Sequence, residues 1–592
     1  MAKNHNEITI FRAGIKIVVY TFKSWPIALI IFLLIALSVG VMNGLNIWVM
    51  QYAFEAVTEM NLGLHSINWT ILPLILFIGF IVGQSLLATI RYLCWAVIHD
   101  RTHGYMCKQV ALKTAKLDPI LFEDPKILDD INRASEATHK VFWVANIIIT
   151  IFIQHLPMYL IMSVYLFTLN PILIFVIILA FVPKILSQVI RAKLYTDLEE
   201  RSAPLRRESD FYEEAMVDRQ YFKETRLLGA FGFFKEKYFK VIKLLNRETW
   251  KADARAATFD LVAEALTAAG YFGILYLLFI SLRDGSITAG AFAAVLASVS
   301  QLIAHIDFLI TGCFANVAED IGKINYLIRF FDLPEKIGAD VEVNWSGDIE
   351  FKNVNFTYPN AKKPSLKDLS LTIKAGETIA IVGENGAGKS TLIKLLLGLY
   401  EPTSGEIVVS NQNLQNIMPQ RLFTGASAVF QKYQRYQMTL KENLQISTVN
   451  TNRDVLLALE KAGVEWESCS YPDGLDTMLS REFDGVDLSG GQWQRISIAR
   501  GLYRQHDLIV LDEPTAAIDP LEESRLYKKF YEITKDKTAV IVTHRLGSAQ
   551  IADKIIVLTN GQISEIGTHQ ELLEQKGHYT LMYESQMSWY IS

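Results

Sequence analysis

The sequence predicts a chain in two parts, a helical membrane domain with six spans followed by a separate α/β domain. Two observations carry this. Of 592 residues 51% are hydrophobic, and the excess lies before about residue 320. Beyond residue 349, short apolar runs end in glycine-rich or acidic tips, the pattern of strands feeding turns and helices. The length alone exceeds one ordinary domain. A net charge of −5 argues against a nucleic-acid partner, which calls for a basic patch or stripe. The four cysteines, Cys94, Cys107, Cys313 and Cys469, lie far apart with no CxxC spacing, so they read as structural thiols. The polar, basic N-terminus shows no small-residue cleavage site, and no removable signal peptide is expected.

Residues 25–50 are apolar for more than the ~20 residues that cross a bilayer, with no charge between Lys23 and Glu55. Residues 69–95 form the second span, uncharged until Arg91. Residues 141–167 and 171–190 form the third and fourth, parted by Thr168, Leu169 and Asn170. Residues 258–282 and 289–316 form the fifth and sixth. An even number of spans places both termini on one side.

Lysine and arginine choose the side. The segments after spans one and three carry neither, and that after span five has only Arg283. Residues 91–140 instead carry Arg101, Lys108, Lys113, Lys116, Lys126 and Arg133, and residues 184–255 are richer still. Those long segments, both termini and the α/β domain are therefore expected in the cytoplasm, on a multi-pass protein of the cell membrane in contact with its lipid. Helical spacing of Val110, Leu112 and Ala115 extends the membrane helices into the cytoplasm. Each extension is expected to turn through a short helix, near residues 122–132 and 218–229.

Polar residues within the spans are Gln84, Asn146, Gln154, His155, Glu264, Gln301, His305 and Asp307. Ionisable groups at membrane depth are costly and face a bundle interior or a water-filled path. Glu264, Gln301, His305 and His155 are the candidates for lining a translocation cavity, against the alternative that neighbouring helices satisfy them. The membrane domain is expected over residues 1–331, a polar linker with Pro334, Gly338 and Gly347 over 332–348, and the α/β domain over 349–592.

The α/β domain is organised around GENGAGKST, residues 383–391, between the apolar run IAIV and an apolar helix. Gly383, Gly386 and Gly388 let the backbone curl so that N–H groups face a phosphate chain, with Asn385 in the same loop. Lys389 would hold the β and γ phosphates of a nucleotide, Ser390 would offer its hydroxyl to Mg²⁺, and Thr391 closes the motif. LIVLDEPT carries a strand to Asp512, able to hold Mg²⁺ through water, and Glu513, able to polarise an attacking water. Gln431 ends another apolar run and can reach the metal or orient water; His544 ends a third and is a candidate contact to the γ phosphate. Tyr358 either stacks on an adenine ring or is a core or edge tyrosine. LSGGQ opens a second helix whose Ser489, Gly490, Gly491 and Gln492 form a further anion site.

GENGAGKST, LSGGQ, LDEPT, Gln431 and His544 together resemble the ATP-binding cassette (ABC) transporters. Membrane part first and cassette second is similar to an exporter-type half-transporter of the bacterial peptide, lantibiotic and multidrug kind, and KETRLLG at residues 223–229 resembles exporter sequences associated with peptides. The resemblance implies a type I exporter-like membrane domain, ATP and Mg²⁺ as cofactors, and ATP hydrolysis coupled to transport. It makes Tyr358 the adenine-stacking residue, Asp512 and Gln431 metal contacts, Glu513 the catalytic carboxylate and His544 the switch histidine. Ser489 to Gln492 would meet the γ phosphate held by a second chain, and Ala517, Ile518 and Asp519 would pass between the two sites. With Glu513, LSGGQ and His544 all intact, the resemblance favours a second copy of the same chain as the partner, with a heterodimer as the alternative. The implied activity is export of a peptide or small amphipathic substrate by alternating access; a lipid or lipid-linked flippase, or an ATP-gated channel or sensor, shares the same motifs.

Overall fold

A computed structural model describes residues 10–309, 315–359, 361–447, 454–514 and 537–591. It divides into two compact units, Met1–Val110 with Asp130–Asp332, and Ala111–Asp129 with Leu333–Ser592.

The first unit is helical: α1 (Ile10–Ser24), α2 (Pro26–Asn61), α3 (Ile67–Thr114, its last turn in the second unit), α4 (Pro125–Ala137, its start in the second unit), α5 (Lys140–Leu169), α6 (Pro171–Val217), α7 (Phe222–Leu227), α8 (Phe231–Arg283), α9 (Ala289–Asp307) and α10 (Ala315–Asp332). Among the described residues six helices are long and apolar enough to cross a membrane, and they contain or overlap the six expected segments. Pro26 and Pro171 sit in first turns, where a missing N–H costs nothing. Asn170 caps α6 by accepting from the Ile172 N–H at 3.0 Å, and Thr288 caps α9 by accepting from that of Ala291 at 3.0 Å. The second expected short helix is α7; at the first, a 3₁₀ turn at Pro119–Glu123 precedes α4.

Small residues let α6 and α8 approach closely. A Cβ on Gly273 would touch Val176, and Thr267 Oγ1 donates to the Ala180 carbonyl at 3.2 Å. Phe175 (72% exposed) and Phe272 (74%) point away from this packing, as lipid-facing side chains do. Charged pairs join the same two helices: Lys184 to Glu264 at 2.6 Å and Arg191 to Asp260 at 3.2 Å. Helix α5 contains a π turn, Thr150–His155, seated where Gly40 leaves no room for a Cβ against the Gln154 carbonyl. The turn brings the buried His155 within 5.4 Å of His305, ring centre to ring centre. Of the four cavity candidates these two meet, whereas Glu264 pairs with Lys184 and Gln301 is exposed. Gln84 donates to Asn43 instead.

In the second unit, an antiparallel sheet of order β2-β1-β4-β5 uses β1 (Ile349–Phe356), β2 (Leu366–Ile373), β4 (Ser404–Val409) and β5 (Gln412–Asn413). A larger sheet of order β10-β9-β3-β8-β7-β6 uses β3 (Thr378–Gly383), β6 (Ala426–Val429), β7 (Leu508–Asp512), β8 (Thr538–Val542), β9 (Lys554–Thr559) and β10 (Gln562–Gly567). Its strands pair in parallel except β10 on β9. Burial on both faces explains why β7 and β8 read as unbroken apolar runs. Helices α11 (Lys389–Leu396) and α12 (Gly490–Tyr503) follow the two glycine-rich turns.

The stretch expected as a linker folds with this unit: Val343 and Trp345 enter its core, and the Trp345 indole donates to the Leu422 carbonyl at 3.2 Å. The polar composition concealed one large apolar anchor. Trp345→Ala is expected to remove about 3–5 kcal/mol and lower the apparent Tm of the full-length protein by roughly 6–20 °C, read by thermal unfolding.

Candidate functional site

Strand order builds the site. Because β3, β8, β7 and β6 are neighbours running the same way, their C-terminal ends lie side by side, and ligands of such sheets bind at that edge. From those ends come the loop at Gly383, then His544, then Asp512 and Glu513, then Gln431.

The loop needs its glycines. Gly386 and Gly388 have φ of +82° and +102°, and a Cβ on Gly388 would sit 2.8 Å from Leu366 Cδ2 and 2.9 Å from the Ser365 carbonyl. Lys389 is buried and its Nζ donates to the carbonyls of Gly383 at 2.8 Å and Glu384 at 3.0 Å, which holds the ammonium at the mouth of the loop. Burial lowers its pKa, against the opposing pull of Glu513 and Asp512. Asn385 lies at the exposed crest, and Ser390 and Thr391 open α11.

Asp512 is buried at the end of β7. Burial and the neighbouring Glu513 charge push its carboxyl up to about 6, while Lys389 and the Ser390 hydroxyl oppose them. Glu513 follows in the left-handed region at φ 48°, which non-glycine residues seldom adopt. Its N–H donates to the Val542 carbonyl at 3.0 Å and its carbonyl accepts from Gln494 Nε2 at 3.5 Å, so β8 and α12 hold the unusual backbone in place. The side chain is gripped twice: Gln431 Nε2 donates to it at 2.5 Å and His544 Nδ1 lies 3.3 Å away. Carboxylate, amide and imidazole thus converge on one point beside Lys389 and Asp512.

Tyr358 is half-buried, edge-on to Phe356 (5.0 Å) and Tyr400 (5.8 Å), with its hydroxyl 3.1 Å from Thr391 Oγ1. At the second glycine turn, Ser489 caps α12 in a reciprocal box with Gln492, and Gln492 Nε2 donates to Ser470 Oγ at 3.0 Å. Gly491 lies in the first turn of α12, and the Gly490 carbonyl accepts from Tyr433 at 2.7 Å. Tyr433 stands two residues after Gln431, so the glutamine segment touches both Glu513 and the second glycine turn; nothing in its spacing marked it. Gln494, deep in α12, was equally silent. Ala517, Ile518 and Asp519 lie outside the described residues.

The ABC transporter transmembrane-region profile matches residues 29–306, and the ABC transporter profile matches residues 366–516. Over 491 residues, 81% of this chain and 79% of the other, the sequence is 31% identical to the subtilin transport ATP-binding protein SpaT of Bacillus subtilis. The chain belongs to the ABC transporters. Alignment with the nisin transport ATP-binding protein NisT of Lactococcus lactis gives 28% identity over 62% of each chain. An ATP-dependent lipid A-core flippase of Haemophilus influenzae is 31% identical over 62% of this chain and 64% of its own. A bacterial Atm1-family ABC exporter with ATP bound shares the fold, with TM-score 0.76, 20% identity and coverage of 98% and 99% of the two chains. This ABC transporter therefore combines a six-helix exporter-type membrane domain with an ATP-binding domain, and couples ATP hydrolysis to transport.

Proposed function

We propose that this ABC transporter works as a homodimer that exports a peptide or small amphipathic substrate from the cytoplasm. The observation that carries the substrate class is the alignment with the subtilin transport protein, which extends over four-fifths of the chain and so includes membrane sequence as well as the ATP-binding domain. Flippase relatives align over a smaller share, and lipid movement is the second reading. The distribution of lysine and arginine supports a cytoplasmic nucleotide-binding domain and cytoplasmic termini.

The residues present suit a nucleotide and Mg²⁺. Gly383, Asn385, Gly386, Gly388, Lys389, Ser390 and Thr391 cradle the phosphates, and Tyr358 offers its ring to the base. Ser390, Asp512 and Gln431 would hold the metal, which supplies positive charge to the phosphate oxygens. Two adjacent carboxylates, one of them buried, favour a cation at that point. Glu513 orients and deprotonates the attacking water, while Gln431 and His544 hold its carboxylate in place. Ser489, Gly490, Gly491 and Gln492 face the nucleotide of the partner copy.

A second copy also accounts for an apolar tip. Leu227 (88% exposed), Leu228 (69%), Phe231 and Phe233 crowd around α7, beyond the membrane spans. Exposed patches of this kind mark protein contacts. Leu227→Asp with Leu228→Asp is expected to cut ATPase activity at least ~5-fold while ATP binding per chain is kept; unchanged activity would remove the tip from the dimer.

The substrate is tested by ATPase activity in lipid nanodiscs, screened with subtilin, nisin and other hydrophobic peptides, lipid A and hydrophobic drugs, with Glu513→Gln as blank. Stimulation by peptides and their uptake into inverted vesicles is the expected result. Stimulation by lipid alone would replace the peptide reading with the flippase.

A further inference from the structure

Residues 111–129 connect the second and third spans in sequence, yet fold with the nucleotide-binding unit. Lys113 Nζ donates to the Leu333 carbonyl at 2.5 Å and pairs with Glu335 at 3.1 Å, and Gln420 Nε2 donates to the Ala115 carbonyl at 3.4 Å. Ile120 packs against the core of the sheets. The segment delivers one carboxylate, Glu123, to a specific place. Glu123 accepts from the Tyr400 hydroxyl and from Lys394 Nζ at 3.1 Å, and Lys394 Nζ also reaches the Tyr400 oxygen at 2.9 Å. Lys394 belongs to α11, the helix that starts at the phosphate loop.

The three residues stand against the candidate base platform. Lys394 Nζ lies 4.9 Å from the centre of the Tyr400 ring and 5.9 Å from that of Tyr358. Tyr400 stacks on Phe356 at 5.6 Å with an interplanar angle of 10°, and Tyr358 stands edge-on to both. The Tyr400 hydroxyl, helped by Lys394 and against burial, keeps the Glu123 carboxyl below the usual glutamate range. The carboxylate is therefore charged at neutral pH.

We propose that Glu123 is a positioning residue for the nucleotide: by holding Tyr400 and Lys394 it fixes the aromatic cluster that presents Tyr358, so affinity for the adenine base is set by the segment between the second and third spans. The proposal rests on Tyr358 being the base platform. Loss of the Glu123 charge leaves Lys394 without a carboxylate and Tyr400 with a weaker acceptor, which frees both to move against Tyr358. Lys389 makes its bonds to Gly383 and Glu384, apart from this cluster, so the grip on phosphate stays.

The experiment measures ATPase kinetics of the full-length transporter in nanodiscs, with inorganic tripolyphosphate as a competitor that has phosphates and no base. For Glu123→Gln, KM for ATP should rise about 5- to 10-fold, with kcat within twofold and tripolyphosphate inhibition unchanged. Tyr400→Phe should move KM the same way by a smaller factor, and it keeps the test available should Glu123→Gln fail to fold. Glu123→Asp should recover part of the loss. An unchanged KM, equal weakening of ATP and tripolyphosphate, or a fall in kcat alone would each overturn the proposal. Tyr358→Ala separates the two readings. If it leaves KM unchanged, the platform itself is wrong; if it raises KM while Glu123→Gln and Tyr400→Phe do not, the platform stands and the role of Glu123 fails.

Discussion

Glu513→Gln should stop ATP turnover and leave ATP bound. The substitution keeps the size and shape of the side chain, so its contacts with Gln431 and His544 change little in geometry, but it removes the carboxylate assigned to take a proton from the attacking water. General-base catalysis contributes roughly 10²- to 10⁴-fold, which is the expected loss of kcat. Binding should be unchanged or tighter, because the site then holds one anion fewer beside Asp512 and the triphosphate. ATPase rate and equilibrium ATP binding, measured on the same preparation, check both halves. A variant that retains a tenth or more of the wild-type rate would remove Glu513 from the chemistry.

Lys389→Met should have the converse profile. The side chain is buried in the loop and its Nζ is held by the Gly383 and Glu384 carbonyls, so the ammonium is preorganised at a fixed point. Methionine fills similar space but forms no charge-assisted bond to phosphate. Such bonds contribute about 1.5–3 kcal/mol, so ATP affinity should fall roughly 10- to 150-fold. Titration with ATP at constant protein concentration measures it directly, and an affinity within threefold of wild type would contradict the assignment. Together the two variants separate holding the triphosphate from cleaving it.

Features of this chain that act through near neighbours are legible in its sequence. The six apolar segments declare themselves because bilayer thickness demands a minimum length of uncharged helix, whatever the helices pack against. GENGAGKST is legible for a related reason: three glycines, a lysine and a hydroxyl at fixed spacing suffice to curl a backbone around phosphate. Asp512 and Glu513 could be paired from their place at a strand tip. By contrast, Glu123 carries no local sign of function, since what it meets, Lys394 and Tyr400, lies 271 and 277 residues away. Trp345 was hidden in a polar stretch because burial is decided by what folds over a residue. The Gln431 and His544 contacts to Glu513 required the strand order β3-β8-β7-β6, which no single stretch contains. Likewise His155, in the π turn that α5 makes against Gly40, meets His305 of α9, a pairing of residues far apart in the chain. What the sequence by itself determined was the set of elements and the chemistry of the phosphate loop, both governed by interactions over a few residues. Only the tertiary structure decided which side chains share a site, because that depends on the order in which the strands and helices pack.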